Sequence, residues 1–494
     1  MTQQTDFIVI GAGSAGCVVA RVLAERGLDV TIIEAGQDIP VNRSPAKYVQ
    51  AFGSDEDWGY QTVPQSRLAS RRIRWPRGRG PGGSTRINAT IWYPPTDQDF
   101  QEISAAGGAS WNEHALRTSF ADVTKWVSPE PPRWISTATQ TFVQTAGSMG
   151  LAAHAFSRMT RSGRRRTAFD MLKESEAWPS IKQVQGHVTR IEFDGQRARE
   201  VHVIDTVTHQ PIVLHAQQAV ILCSGTIGSA ELLLRSGIGP SQMLIEAGVE
   251  VVCDADEVGE NLSDHLIMPL IFSVAPAHRF ATEPSVQDLA RFQISGTGPL
   301  ASNLAESGML HDVEGNCFQL HVTPTHYLLH PDRRAPAAMT LGVNISKPAS
   351  HGNIRLRPAS HSLAPELEID PRYLTEPEDL RQLVAAIEFT REIARQSPLS
   401  SFVCDELIPG VRRGGEDATL KAIARLAQTL YHPTGTCRMG LDGKSVVDER
   451  LAVRGVSGLQ VIDASILPTI PSVNPNALVM TIAMHAAKLL ASSF

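Results

Sequence analysis

An α/β fold of two interleaved domains is predicted from three features of the 494-residue sequence. Residues 6–34 alternate strand, glycine turn, helix and strand. Segments with the same glycine-punctuated pattern recur near the middle and toward the end of the chain. Between them, residues 270–410 mix strand-like runs with one clear helix, a different pattern that implies a second domain.

The first unit is legible residue by residue. Asp6-Phe7-Ile8-Val9-Ile10 reads as a buried strand and Gly11 to Gly16 as a turn. Cys17 to Arg26 reads as a helix stopped by Gly27, and Val30-Thr31-Ile32-Ile33 as a second strand ending at Glu34. Residues 60–95, rich in Arg, Gly and Pro, read as an ordered loop, and residues 128–136 as a connector. Strands alternate over 184–223, including His187–Ile191 and Ala219–Leu222. Helices are expected at Thr226–Arg235, Pro377–Arg395, Asp417–Leu430 and Ala477–Leu490.

Composition narrows the function. The chain is 42% hydrophobic, enough for a sizeable core. Its 51 acidic residues outnumber 45 basic ones, which argues against a nucleic-acid binder. The N-terminus enters an apolar strand without a basic leader, so no signal peptide is expected. The charge-free run from Ile466 to Ala487 is broken by Pro468, Pro471 and Pro475, so no membrane span is expected either. Six cysteines lie far apart with no metal-ligand spacing; reduced thiols, a cytoplasmic location and no metal site follow as expectations.

Gly11-x-Gly13-Ser14-Ala15-Gly16, followed by Glu34 and Ala35 at the end of the second strand, fits dinucleotide binding. Glycines permit the tight turn, close approach of backbone to a pyrophosphate, and helix–strand packing, while a helix N-terminus offers free N–H groups. Glu34 can accept hydrogen bonds from a ribose diol. A second cradle runs Arg77-Gly78-Arg79-Gly80-Pro81-Gly82-Gly83-Ser84-Thr85-Arg86-Ile87-Asn88, and a third signature spans Gly225 to Gly239. Asn261-Leu262-x-Asp264-His265 and His432-Pro433-x-Gly435-Thr436-x-x-Met439-Gly440 follow. Val447-Asp448 and Asp463-Ala464-Ser465-x-x-Pro468-Thr469-x-Pro471-x-x-Asn474-x-Asn476 complete the series.

In that order the motifs resemble the glucose–methanol–choline (GMC) oxidoreductases, over nearly the whole chain and most closely the choline dehydrogenase-like alcohol oxidoreductases. The resemblance implies a Rossmann-like (ββα) FAD-binding domain from residues 1–90, 180–268 and 428–494. A substrate domain built on an antiparallel sheet would take 91–179 and 269–427. It also implies oxidation of an alcohol to an aldehyde or ketone, with oxygen or a quinone-like carrier taking the electrons. FAD contacts are expected from Gly11, Gly13, Ser14, Ala15, Gly16, Glu34, Ala35, Gly83, Ser84, Asn88, Ala89, Thr90, Ile91, Val188, Asp463, Ala464, Pro475 and Asn476. Some members tether the flavin through a histidine where this chain has Ile87, so the flavin is expected to be non-covalent.

His432 is expected to accept the hydroxyl proton, with an ionisation near neutrality limiting the rate on the acid side. Asn474 occupies a family position held by His or Asn and is expected to orient the substrate oxygen. The alternative is a hydroxynitrile lyase-like protein with a non-redox flavin. The last helix, starting after Asn474-Pro475-Asn476, can offer its N-terminal dipole to charge on the flavin. His321 is a candidate to face substrate, and His485 is expected to be packed or on the surface. Arg158, Arg161, Arg164, Arg165 and Arg166 read as a solvated basic loop, with an anionic substrate as the second possibility.

Overall fold

The computed structural model of the protein describes residues 3–280, 283–313, 315–332, 334–358, 365–410 and 416–494. The first two residues of the expected leader-free N-terminus lie outside the described residues. The apolar run Phe7–Ile10 forms the middle of a parallel sheet. Strand Gln3–Ile10 lies between Val30–Glu34 and Pro211–Leu222, with Ile181–Asp194 beyond the first and Leu459–Val461 beyond the second. Phe7, Ile8 and Val9 are covered completely, as continuous apolar strands in a parallel sheet require. Arg197–Asp205 pairs antiparallel with the outer halves of Ile181–Asp194 and Pro211–Leu222 and joins them.

Helix Ser14–Ala24 follows the glycine turn and packs along helix Asn476–Ala491. The latter is apolar on nearly every side and is buried from Ala477 to Ala487, as such a sequence demands. Among the described residues no helix is long and apolar enough to cross a membrane. All six cysteines are free.

The second sheet is antiparallel throughout. Its order is Val403–Ile408, Leu266–Val274, Ala338–Ile345, Asn316–Thr323, Ser307–Val313 and His154–Ala155, with Gln428–Thr429 paired to the start of Leu266–Val274. Helix Pro377–Ala394 covers it. The boundary expected at 268 falls inside Leu266–Val274, and Gln428–Thr429, expected in the other domain, belongs to this sheet. That pairing also explains why the helix expected over Asp417–Leu430 is Glu416–Leu426: strand pairing overrides helical propensity at its end.

The arginine cluster departs from expectation. It is not a solvated loop. Arg158 and Arg165 are only 1% and 2% exposed, and Arg166 is buried as well. Arg158 donates to the carbonyl of Ala301, and Arg165 donates to the Thr85 carbonyl at 3.0 Å and to Asn88 Oδ1 at 3.1 Å. Arg166 donates to the Val127 carbonyl and pairs with Glu174. Backbone carbonyls thus take the place of water, although burial still pushes Arg158 and Arg165 down to about 10. Arg161 alone has a largely exposed side chain.

Arg165→Met removes the buried guanidinium donor from the Thr85 carbonyl and leaves Asn88 Oδ1 with only the Thr90 N–H. It is expected to cost about 2–4 kcal/mol, the range for losing buried charge-assisted hydrogen bonds. Arg161→Ala is expected to stay within about 0.5 kcal/mol, as exposed positions do. Urea denaturation of both variants checks the contrast.

Candidate active site

The carboxyl ends of the parallel strands open onto one large cavity. Gly11 leaves the first strand at φ +102°, a left-handed conformation that favours glycine, and a Cβ there would lie 2.6 Å from the Cys223 carbonyl oxygen. At Gly16 a Cβ would sit 1.9 Å from the Gly11 oxygen, so this glycine serves the packing of helix on strand. Gly13 differs: its Cβ would meet nothing nearer than Gly83 Cα at 3.8 Å. The fold leaves room for a methyl at Gly13, which points to the contents of the cradle as the reason for glycine there. Glu34 accepts from the backbone N–H groups of Ala12, Gly36 and Gly80 while lining the same cavity. Ser14 donates to Asn476 Oδ1 at 2.7 Å, joining the first turn to the start of the last helix.

On the wall of the same cavity the side chains of His432 and Asn474 meet. Asn474 Nδ2 lies 3.1 Å from His432 Nε2, and Gln319 Nε2 donates to Asn474 Oδ1 at 3.1 Å. Behind His432, its Nδ1 lies 2.9 Å from His265 Nδ1, and His265 Nε2 lies 2.9 Å from the Ser346 carbonyl. The backbone N–H of His432 donates to Asp264 Oδ1 at 2.8 Å, and the hydroxyls of Tyr373 and Thr429 donate to Oδ2. Arg77 donates to the Tyr431 carbonyl at 2.7 Å. The histidine loop is therefore held through its backbone from two sides.

Burial sets the charges here. It pushes Asp264 up to about 6 despite its three donors. It pushes His265 down to about 4. Burial first, then the neighbouring His265, His321 and Arg77, holds His432 well below the usual imidazole range. Burial thus moves the ionisation expected near neutrality downward and favours the neutral imidazole of His432. His321 shares the cavity wall, with both ring nitrogens buried and unpartnered, and burial pushes it down to about 3.

Most of the residues expected at the cofactor line the cavity: Gly11, Gly13, Ser14, Ala15, Glu34, Ala35, Gly83, Ser84, Asn88, Ala89, Ile91, Val188, Asp463, Ala464, Pro475 and Asn476. Gly16 and Thr90 do not. Gly16 lies beneath the turn, and Thr90 is buried at φ +57° with its N–H on Asn88 Oδ1. His485 is packed, 2.8 Å from the Ser110 carbonyl and edge-on to Trp111. One grouping of possible metal ligands exists among the described residues, Glu192, Glu200 and His202. It sits on the antiparallel hairpin rather than in the cavity. Asp264, His265 and Gln319 were not singled out from sequence; Asp264 and His265 stood in a quoted motif, and Gln319 gave no signal.

Comparison with known proteins decides the family. Residues 5–267 and 348–483 match family profiles described as GMC oxidoreductase. An alcohol dehydrogenase (acceptor) of Pseudomonas putida is 31% identical across 98% of this chain and 95% of its own length. The chain belongs to the GMC oxidoreductases. An oxygen-dependent choline dehydrogenase of Cronobacter sakazakii is 29% identical over 96% of this chain and 92% of its own. Among solved structures, pyridoxine 4-oxidase from Mesorbium loti superposes with a TM-score of 0.85 at 27% identity, covering 98% of this chain and 99% of that one. A formate oxidase at 22% identity shares the fold, with a TM-score of 0.89 over 100% and 99% of the two chains. As a GMC oxidoreductase the protein is an FAD flavoenzyme, and the cradle fits that cofactor in its open Gly13 position and in the glycine-rich turns that line the cavity.

Gly13→Ala is expected to fold with nearly parental FAD-free stability and to bind FAD at least tenfold more weakly. Gly16→Ala is expected to lose both, because its methyl meets the Gly11 carbonyl. Thermal melts with and without added FAD, together with flavin titration, separate the two.

Proposed function

We propose that this GMC oxidoreductase oxidises an alcohol to an aldehyde or ketone, with His432 as the proton acceptor and Asn474 orienting the substrate oxygen. The observation that carries this reading is the buried His432 imidazole with its Nε2 3.1 Å from the Asn474 amide at the cavity wall. Bound FAD supplies the acceptor for a hydride from the carbinol carbon. The alcohol oxygen would take an N–H from Asn474 while its own proton is directed at His432 Nε2. As the carbinol C–H bond breaks, that proton passes to Nε2, and the C–O bond gains its double bond. The helix Asn476–Ala491 begins at the cavity wall, so its N-terminal dipole favours negative charge developing there.

The site residues would hold FAD with Gly11, Gly13, Ser14, Ala15, Glu34 and Ala35 from the first strand–turn–helix unit and Asp463, Ala464, Pro475 and Asn476 from the C-terminal segment. Ile87 offers no nucleophile, which supports non-covalent binding. Oxygen or a quinone-like carrier would then take the electrons. The partition into an FAD domain (1–90, 180–268 and 428–494, trimmed at the two strands noted above) and a substrate domain belongs to the same reading. Six free thiols support a cytoplasmic location.

Acid precipitation is expected to release all the flavin into the supernatant; yellow colour staying with the polypeptide contradicts non-covalent binding. His432→Gln is expected to keep FAD and to slow flavin reduction by an alcohol about 10²–10⁴-fold. In the parent, the rate constant per unit substrate should be flat above the ordinary imidazole pKa. Because the lowered pKa of His432 leaves the base protonated only in acid, the rate falls only as pH drops below that range. Anaerobic stopped-flow across pH checks both, and an acid limb surviving in His432→Gln would assign the base elsewhere.

A further inference from the structure

The chain of contacts through the site has one direction in which every proton is accounted for. Gln319 Nε2 can donate to Asn474 Oδ1, Asn474 Nδ2 to His432 Nε2, His432 Nδ1 to His265 Nδ1, and His265 Nε2 to the Ser346 carbonyl. The carbonyl at the far end can only accept, so His265 must carry its proton on Nε2. Its Nδ1 is then a bare lone pair, and the 2.9 Å contact requires His432 to carry its own proton on Nδ1. The reverse assignment would set the lone pair of His265 against the lone pairs of Ser346. A doubly protonated His265 would place a cation in a fully buried position.

Both ends of the chain are rigid. Gln319 stands on one strand and Ser346 directly after the end of its antiparallel neighbour, with Gln319 opposite Asn344 and the Ser346 N–H on the Cys317 carbonyl. His265 is completely buried immediately before a third strand of that sheet, and its carbonyl accepts from Leu430 N–H.

We infer that His265 is a positioning residue for the base: it holds His432 in the Nδ1–H tautomer, so that Nε2 carries the lone pair, met here by the Asn474 amide, that takes the substrate proton. This rests on His432 being the base. Free imidazole side chains mostly carry the neutral proton on Nε2, so this tautomer is imposed by the protein. When His432 is protonated, its Nδ1–H already points at an acceptor, and no group has to turn.

The test uses FAD-loaded protein and two substitutions. His265→Leu removes the acceptor, whereas His265→Asn can place Oδ1 near the position of the lost Nδ1. His265→Leu is expected to slow flavin reduction about 10–10²-fold. The alcohol concentration for half-maximal reduction should stay within about twofold, and His265→Asn should recover most of the rate. A packing role predicts the opposite order, since leucine suits a dry site better than an amide. A parental rate in His265→Leu, or an asparagine variant no faster than leucine, overturns the inference. Should the variants fail to load FAD, nitrogen NMR of the histidine-labelled parent, with His432→Gln to assign the signal, decides it. A protonated Nδ1 and bare Nε2 on His432 support the inference, and the reverse overturns it. If His432→Gln itself reduces at the parental rate, the base is wrongly assigned and the inference falls with it.

Discussion

Asp264 gives its two carboxylate oxygens to three donors from two separate segments: Thr429 and the His432 backbone on one, and Tyr373 on the other. Tyr373 also accepts from Trp75 Nε1, so the network reaches the glycine-rich loop that precedes Gly78. From Thr429, paired into the antiparallel sheet, the chain runs through His432 and on to Gly435 and Cys437, whose N–H groups bond to Ala464 and Ser465. One buried carboxylate thereby sets where the histidine loop crosses between the two sheets. Replacing its donors with water is not an option at such depth, which is why all three converge on it.

The two sheets contribute different things. The parallel strands end at Ile10, Glu34, Leu222 and Val461, and their carboxyl ends give onto the cradle, where ligands of open α/β sheets bind. The antiparallel sheet contributes side chains with a period of two: Gln319 and His321 share one face of Asn316–Thr323, the first bonded to Asn474 and the second on the cavity wall. Three histidines gather there, and burial pushes the imidazole pKa of each downward, favouring the neutral form. A neutral cluster costs less to bury than a charged one and leaves lone pairs available for proton transfer.

How much was legible in the sequence follows from how local each signal is. Gly11, Gly13, Gly16 and Glu34 act within one strand–turn–helix–strand unit, so their spacing sufficed. His432 and Asn474 were legible through motif resemblance. His265 was not, because its partner lies 167 positions away and its role exists only in a hydrogen-bond direction. Gln319 lacks any local mark; only the register of its strand brings it to Asn474. The arginines misled for a related reason. A run of charges reads as solvated unless the carbonyls that receive it are known, and those of Arg158 and Arg165 come from residues 301 and 85. Helix ends were off by a few residues where strand pairing intervened.

The central claim is that a neutral, buried His432 takes a proton as the carbinol C–H bond breaks. Anaerobic mixing of the FAD-loaded enzyme with an alcohol that reduces it, and with the same alcohol deuterated at the carbinol carbon, tests this most directly. The account predicts loss of the yellow flavin absorbance, slower for the deuterated alcohol, with one carbonyl product per flavin reduced. Carbonyl product released while the flavin stays oxidised, as a lyase would give, would contradict it.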